Sequence, residues 1–186
     1  MELFQRRGYS EVSVEDIAAE LGIGRTTVFR YFGSKAGIIW RDIDASGAAF
    51  SERLAQQPPH LDPFDALMAA ATESAQVDDE WRELSRARLA LISSTPELEA
   101  KRAATVSRFA AEVADFLRSR ADFTANPALP EAFGYAMASV ESSALRRWAS
   151  GEVDSYVDVL VSTLSTVIDA FAPMMRGEMA AKPDSR

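Results

Sequence analysis

Apolar residues recur at three- and four-residue intervals along most of the chain, the period of α-helices packed on one side. Near the start, Val14, Ile17, Ala18 and Leu21 share one helical face. Ser13 stands before them as an N-cap, with Asp16 three residues on as its capping-box partner. Gly22 can take the positive φ that ends this helix, and Ile23 is expected to plug the junction. A second helix begins at Gly24 or Arg25 and turns Val28 and Phe32 inward at i, i+4 spacing. Gly33 closes it and Ser34 caps a third helix, with Lys35 in its first turn. The stripe Ile39, Ile43, Gly47, Phe50 and Leu54 carries that helix to about Gln57, where Pro58-Pro59 stops it.

The remainder reads as helix upon helix. Asp62-Pro63 opens one through Phe64, Leu67, Met68 and Ala71. Asp78-Asp79 opens the next, through Trp81, Leu84, Leu89, Leu91 and Ile92. Pro96 begins a long helix whose first turn holds Glu97 and Glu99, matching the helix dipole. After breaks at Asn126-Pro127 and Pro130, a helix carries Phe133, Tyr135, Met137, Val140, Leu145 and Trp148 to a C-cap at Gly151. The last runs from about Asp154 to Phe171, and residues 177–186 read as a disordered tail. With no strand pattern, repeat or low-complexity tract, the fold class is all-α.

Composition removes whole classes of chemistry. The chain has 186 residues, 47% of them apolar, and no cysteine, which excludes disulfides and thiolate sites. Its one histidine, His60, sits beside two prolines in a loop, so no metal site is expected. No G-x-S-x-G turn or phosphate-cradling glycine loop is present, and the carboxylate pairs Asp42/Asp44 and Asp78/Asp79 read as a solvated face and a helix start. The chain is therefore read as a non-enzyme without a cofactor. No signal peptide or long apolar run is seen, which places the expected site of action in the cytoplasm.

Charge changes the picture of the second helix. The net charge is −8, against a general affinity for nucleic acid. Yet between Gly22 and Arg41 there are four basic residues and no acidic one. Residues 1–44 carry six basic and seven acidic groups, net −1, and residues 45–186 carry the other −7. On this local basic island Arg25, Thr26, Thr27, Phe29, Arg30 and Tyr31 all face outward. Arginine can meet guanine edges or phosphates, and threonine can meet a phosphate or a thymine methyl. Two helices joined by a glycine turn make a helix-turn-helix, whose second helix enters the major groove.

The run GYSEVSVEDIAAELGIGRTTVFRYFGSKAGII resembles the DNA-binding domain of TetR-family transcriptional regulators, over roughly Leu3 to Trp40. The resemblance implies a three-helix reading domain at 1–44 and a helical ligand-binding and dimerisation domain at 45–176. It also implies a longer first helix preceded by a basic arm; here Met1 to Arg7 supply only its last two turns. Carried onto this sequence, Ser13, Arg25, Thr26, Thr27, Phe29, Arg30, Tyr31 and Lys35 become the DNA-binding residues. The expected function is a dimeric repressor on a palindromic operator, released by a small apolar inducer.

Two further surfaces follow. Val157, Leu160, Val161, Leu164, Val167, Ile168 and Phe171 form a stripe that could pack on the chain's own core or, as the family implies, form a four-helix homodimer interface. Trp81, Leu84, Leu91, Phe109, Phe116, Phe133 and Met137 read as core by spacing alone. The resemblance makes them walls of an inducer pocket, with Arg88 or Arg108 as a polar anchor. The order F-R-Y-F-x-S-K, then I-I-W-R-D-I-D, is similar to the branch associated with mycofactocin redox-cofactor genes, whose regulators respond to fatty acyl-CoA. The alternatives are a helix-turn-helix regulator with no sensor and a helical dimeric scaffold that has lost DNA binding.

Overall fold

The computed structural model describes residues 1–75 and 81–179, with side chains through residue 176. Every element in those residues is a helix. In chain order they are α1 (Glu2–Arg7), α2 (Val14–Glu20), α3 (Arg25–Phe32), α4 (Lys35–Gln56), α5 (Pro63–Ser74), α6 (Arg82–Ser94), α7 (Pro96–Arg120), α8 (Leu129–Ser150) and α9 (Tyr156–Met179).

The local signals act where they were expected. The Ser13 hydroxyl accepts the Asp16 N–H at 3.0 Å, and the Asp16 carboxylate accepts the Ser13 N–H at 2.8 Å, completing the capping box. Gly22 turns the chain at φ +65°, so α3 can cross α2 instead of extending it. Ser34 caps α4 through the Gly37 N–H, at 2.9 Å. Asp62 caps α5 in the same way ahead of Pro63. The acidic start expected at Asp78-Asp79 lies outside the described residues.

Two apolar residues of the first motif depart from expectation. Leu21 is 58% exposed and Ile23 40% exposed. The helix already ends at Glu20, which leaves Leu21 as its C-cap, and the left-handed turn at Gly22 carries Ile23 away from the interior. Val12, before the helix, fills the space instead.

The core of this N-terminal head is built from Phe4, Tyr9, Val12, Ile17, Ile39 and Trp40, and it is completed by Ile92 of α6 and Leu98 of α7. The Tyr9 hydroxyl also donates to Glu97 at the start of α7, at 3.4 Å. α4 runs from this head into the body. The structure adds the α6–α7 corner, because Thr95-Pro96 brings both helix ends against Trp40 and Tyr9.

The second core lies among α4, α5, α7, α8 and α9. Phe133 sits at its centre, with Phe64 and Phe171 each 5.5 Å away in edge-on contact. The longest packed seam joins α7 to α8, where Gly134 lets the backbones meet: a Cβ there would stand 2.4 Å from the Ala110 carbonyl oxygen. α9 continues beyond Phe171, past Pro173, to Met179, so the first three positions of the expected tail are helical. Residues 180–186 lie outside the described residues.

Candidate DNA-reading surface and ligand cavity

α3 presents the outward face expected of it. Thr26, Arg25, Phe29, Arg30 and Tyr31 are exposed and Thr27 is half-buried, while Val28 anchors the helix in the head at 1% exposure. The Arg30 guanidinium lies 5.1 Å from the Tyr31 ring centre and Arg25 lies 5.2 Å from that of Phe29. Arg25 is also ion-paired to Glu15 of α2 at 2.8 Å. These contacts are solvent-exposed and weak, so they orient the cations without holding them back from a stronger partner.

Lys35 and Ser13 are less free than the sequence implied. The Lys35 ammonium donates to the Tyr9 carbonyl at 2.9 Å and rests 4.1 Å from the Tyr9 ring centre. It is half-buried and braces the head's core from beneath α3. The Ser13 hydroxyl donates to Asp16 at 2.6 Å while it caps α2. That bond, then the Ser13 N–H, then Arg7, holds the Asp16 carboxyl far below the usual carboxylate range. Ser13 is therefore occupied as a cap.

Behind the head lies a cavity of about 1010 Å³. α4 contributes Trp40, Asp42, Asp44 and Phe50 to its wall, and α5, α6, α7, α8 and α9 also line it. Phe50 and Phe109 meet in its wall, 4.9 Å between ring centres and tilted by 45°. Ion pairs tie its rim together: Arg88 to Asp42 at 2.6 Å, Lys101 to Asp44 at 3.0 Å, and Arg102 to Glu99 at 2.9 Å. Two buried donors of the wall, Trp40 Nε1 and Arg88 Nε, have no acceptor among the described residues.

Of the expected pocket residues, Trp81, Arg88, Phe109 and Met137 line this cavity, as does Arg108. Four do not. Phe133 is wholly buried in the aromatic cluster of the body, and Phe116 packs on the same core under Arg120. Leu91 packs against the head's core. Leu84 is half-buried outside the lining. Helical spacing marks the apolar side of each helix but not which neighbour it meets, so core and cavity walls looked alike. The sequence reading missed Trp40, Glu141 and Tyr156 as wall residues.

On α9 the stripe divides. Leu160 and Leu164 are buried at 4% and 1% exposure and border the cavity from inside, so neither is available to an interface. Val157, Val161, Val167, Ile168 and Phe171 stay partly exposed. Residues 156–176 of α9 are long and apolar enough to cross a membrane, with mean hydropathy 1.4.

Residues 1–39 match the family described as "Bacterial regulatory proteins, tetR family", and residues 61–172 match the one described as "MftR C-terminal domain". The chain is 30% identical over 167 residues to the "Putative mycofactocin biosynthesis transcriptional regulator MftR" of Mycobacterium tuberculosis, across 90% of this chain and 84% of that one. Over 70 residues it is 34% identical to the "HTH-type transcriptional regulator TcmR" of Streptomyces glaucescens, across 38% and 31% of the two chains. Its fold is similar to two solved structures. One is the TetR family transcriptional regulator PfmR from Thermus thermophilus (TM-score 0.50, 20% identity, 90% and 93% covered). The other is a TetR-like transcriptional regulator from Rhodococcus sp. RHA1 (TM-score 0.51, 24% identity, 90% of each chain).

Proposed function

Because the chain belongs to the TetR family of bacterial transcriptional regulators, we propose that it is a ligand-responsive repressor. In this reading a homodimer holds a palindromic operator through α3, and a bulky, largely apolar ligand releases it. The observation that carries the proposal is the cavity, because α4 forms part of its wall and also runs directly from the end of α3.

α4 and the α6–α7 corner together give the ligand two routes to the head. A ligand pressing on the Phe50–Phe109 pair acts on the far half of α4. One pressing on Leu89 and Ile92 acts on the corner that completes the head's core. In a dimer a small tilt of each head changes the distance between the two reading helices. That distance must match half-sites about one helical turn apart, ~34–36 Å, or a multiple of it.

Dimerisation is proposed through α8 and α9, whose partly exposed apolar side chains then form a four-helix arrangement with the partner's. This also accounts for the hydropathy of α9 without a membrane, in keeping with a cytoplasmic site of action beside DNA.

The test is reciprocity. If ligand weakens operator binding by some factor, operator must weaken ligand binding by the same factor; a tenfold effect corresponds to ~1.4 kcal/mol of differential binding. Ligand is titrated with and without operator, in wild type and Phe50→Leu. The variant should change the coupling factor and leave unliganded operator affinity nearly intact. Equal ligand affinities with and without operator would leave a regulator without this sensor.

A further inference from the structure

This inference rests on α3 being the DNA-reading helix, as proposed above, and concerns what else grips the duplex. Residues 1–44 carry six basic side chains, and four of them have an oxygen partner. Arg6 is paired with Glu20 at 2.9 Å, Arg7 with Asp16 at 3.0 Å and Arg25 with Glu15 at 2.8 Å. The Lys35 ammonium donates to the Tyr9 carbonyl at 2.9 Å. Arg30 and Arg41 are different: among the described residues neither has an oxygen partner.

Both rest instead on aromatic rings at the end of α3. Arg30 lies 5.1 Å from the Tyr31 ring centre, and Arg41, which belongs to α4, lies 5.2 Å from that of Phe32. Tyr31 and Phe32 are the last two residues of α3. Arg41 follows the buried Ile39 and Trp40 on α4 and is itself exposed. Its sequence neighbour Asp42 is matched elsewhere, by Arg88 of α6 at 2.6 Å. A guanidinium laid against a ring is oriented by it without using up a donor, so its N–H fork stays free. That fork matches two oxygens of one phosphate.

We infer that Arg41 binds a phosphate of the DNA backbone beside the end of α3, a contact that neither the helix-turn-helix spacing nor the family resemblance assigned to it. A helix seated in the major groove has sugar-phosphate backbone on either side of it. A cation held beside that helix, on the next element, meets phosphate and not a base edge. Arg41 thus adds affinity and fixes the pose of the head without reading sequence. Arg30, carried by α3 itself, is the unpaired cation left for a base.

The test uses the full chain and two DNA probes: a short duplex selected on the wild-type protein from a random library, and an unrelated duplex of equal length. Binding of wild type, Arg41→Gln, Arg41→Lys and Arg30→Ala is followed by fluorescence anisotropy from ~50 to ~200 mM salt, beside a melting curve for each protein. Arg41→Gln should weaken binding to both duplexes by the same factor. It should also lower the slope of log affinity against log salt by about 0.9 for each phosphate lost, so about 2 for a dimer. Its melting temperature should change little, and Arg41→Lys, which keeps the charge, should keep the slope. Arg30→Ala should instead lose the preference for the selected duplex. Wild-type affinity and slope in Arg41→Gln overturn the contact, while the lost preference in Arg30→Ala leaves the reading of α3 standing. A lowered melting temperature with unchanged DNA binding makes Arg41 a brace for Phe32 and overturns it too. Weakening confined to the selected duplex means a base contact and overturns the phosphate assignment. If no duplex is enriched by the selection, the reading of α3 fails and the contact with it.

Discussion

Arg30 and Lys35 are both cations beside the reading helix, yet their surroundings give them different work. Arg30 is exposed and rests against the Tyr31 ring, so it can turn to a base edge at little cost. Arg30→Ala should weaken operator binding by ~1–3 kcal/mol and relax discrimination at one base position, with the melting temperature unchanged. Lys35→Ala removes the bond to the Tyr9 carbonyl and the contact with its ring. It should lower the melting temperature as well as the salt dependence of DNA binding. Melting curves with operator titrations at several salt concentrations separate the two. Tyr9 offers a second test at this scale. Burial first, then the charge and the hydrogen bond of Glu97, push its phenol up from 10.0 to about 12. The folded state therefore favours the neutral phenol. That stability is fully present below pH 10 and is lost as pH rises from 10 towards about 12. Wild type should lose stability over that window more steeply than Tyr9→Phe, as measured by urea unfolding at each pH. Single residues also mark what the sequence could tell. Ser13, Gly22, Ser34 and Asp62 were legible because capping and φ are decided within a few neighbours. Leu21, Ile23 and Phe133 were not, because burial depends on which distant helix arrives.

The helices themselves were legible for a similar reason: their period, prolines and caps are local. Crossing points were not. Gly134 is one of several small residues on α8, and only the structure shows that it meets the Ala110 carbonyl across the α7–α8 seam. Gly134→Ala must push the two helices apart or bend one of them. Overpacking of this kind costs ~1–3 kcal/mol, despite the better helix propensity of alanine. Gly47, also inside a helix, has open space at its missing Cβ, so Gly47→Ala should stabilise α4 by up to ~1 kcal/mol. Urea denaturation of both variants should show opposite signs; two stabilised proteins would mean that the seam is looser than described.

For the whole molecule, the dimer proposed above rests on α9. A charge at Leu164 does not probe an interface, since that side chain is buried between α9 and the cavity. Val161 is partly exposed, so Val161→Asp should weaken the dimer while leaving a folded monomer, read by sedimentation and circular dichroism at matched concentration. Wild type that sediments as a monomer at micromolar concentration would remove the dimer reading. The cavity was legible only as a mixture of aromatic positions, because its walls come from six helices. The outward face of α3 was legible almost residue by residue, because one short helix carries it.

Ile92 and Leu98 stand in the head's core although more than fifty residues separate them from Trp40 in sequence. The reading head is thus not an autonomous folding unit. Cut after residue 44, it would leave Phe4, Tyr9, Ile39 and Trp40 with bare apolar faces, on a fragment far below the size at which a lone core is secure. Such a peptide should show little cooperative melting, while the full chain should unfold its head and body together. Hydrogen exchange should then find α1 to α3 protected through the same opening event as the ends of α6 and α7. An operator bound at one end would make the far side of the protein harder to unfold.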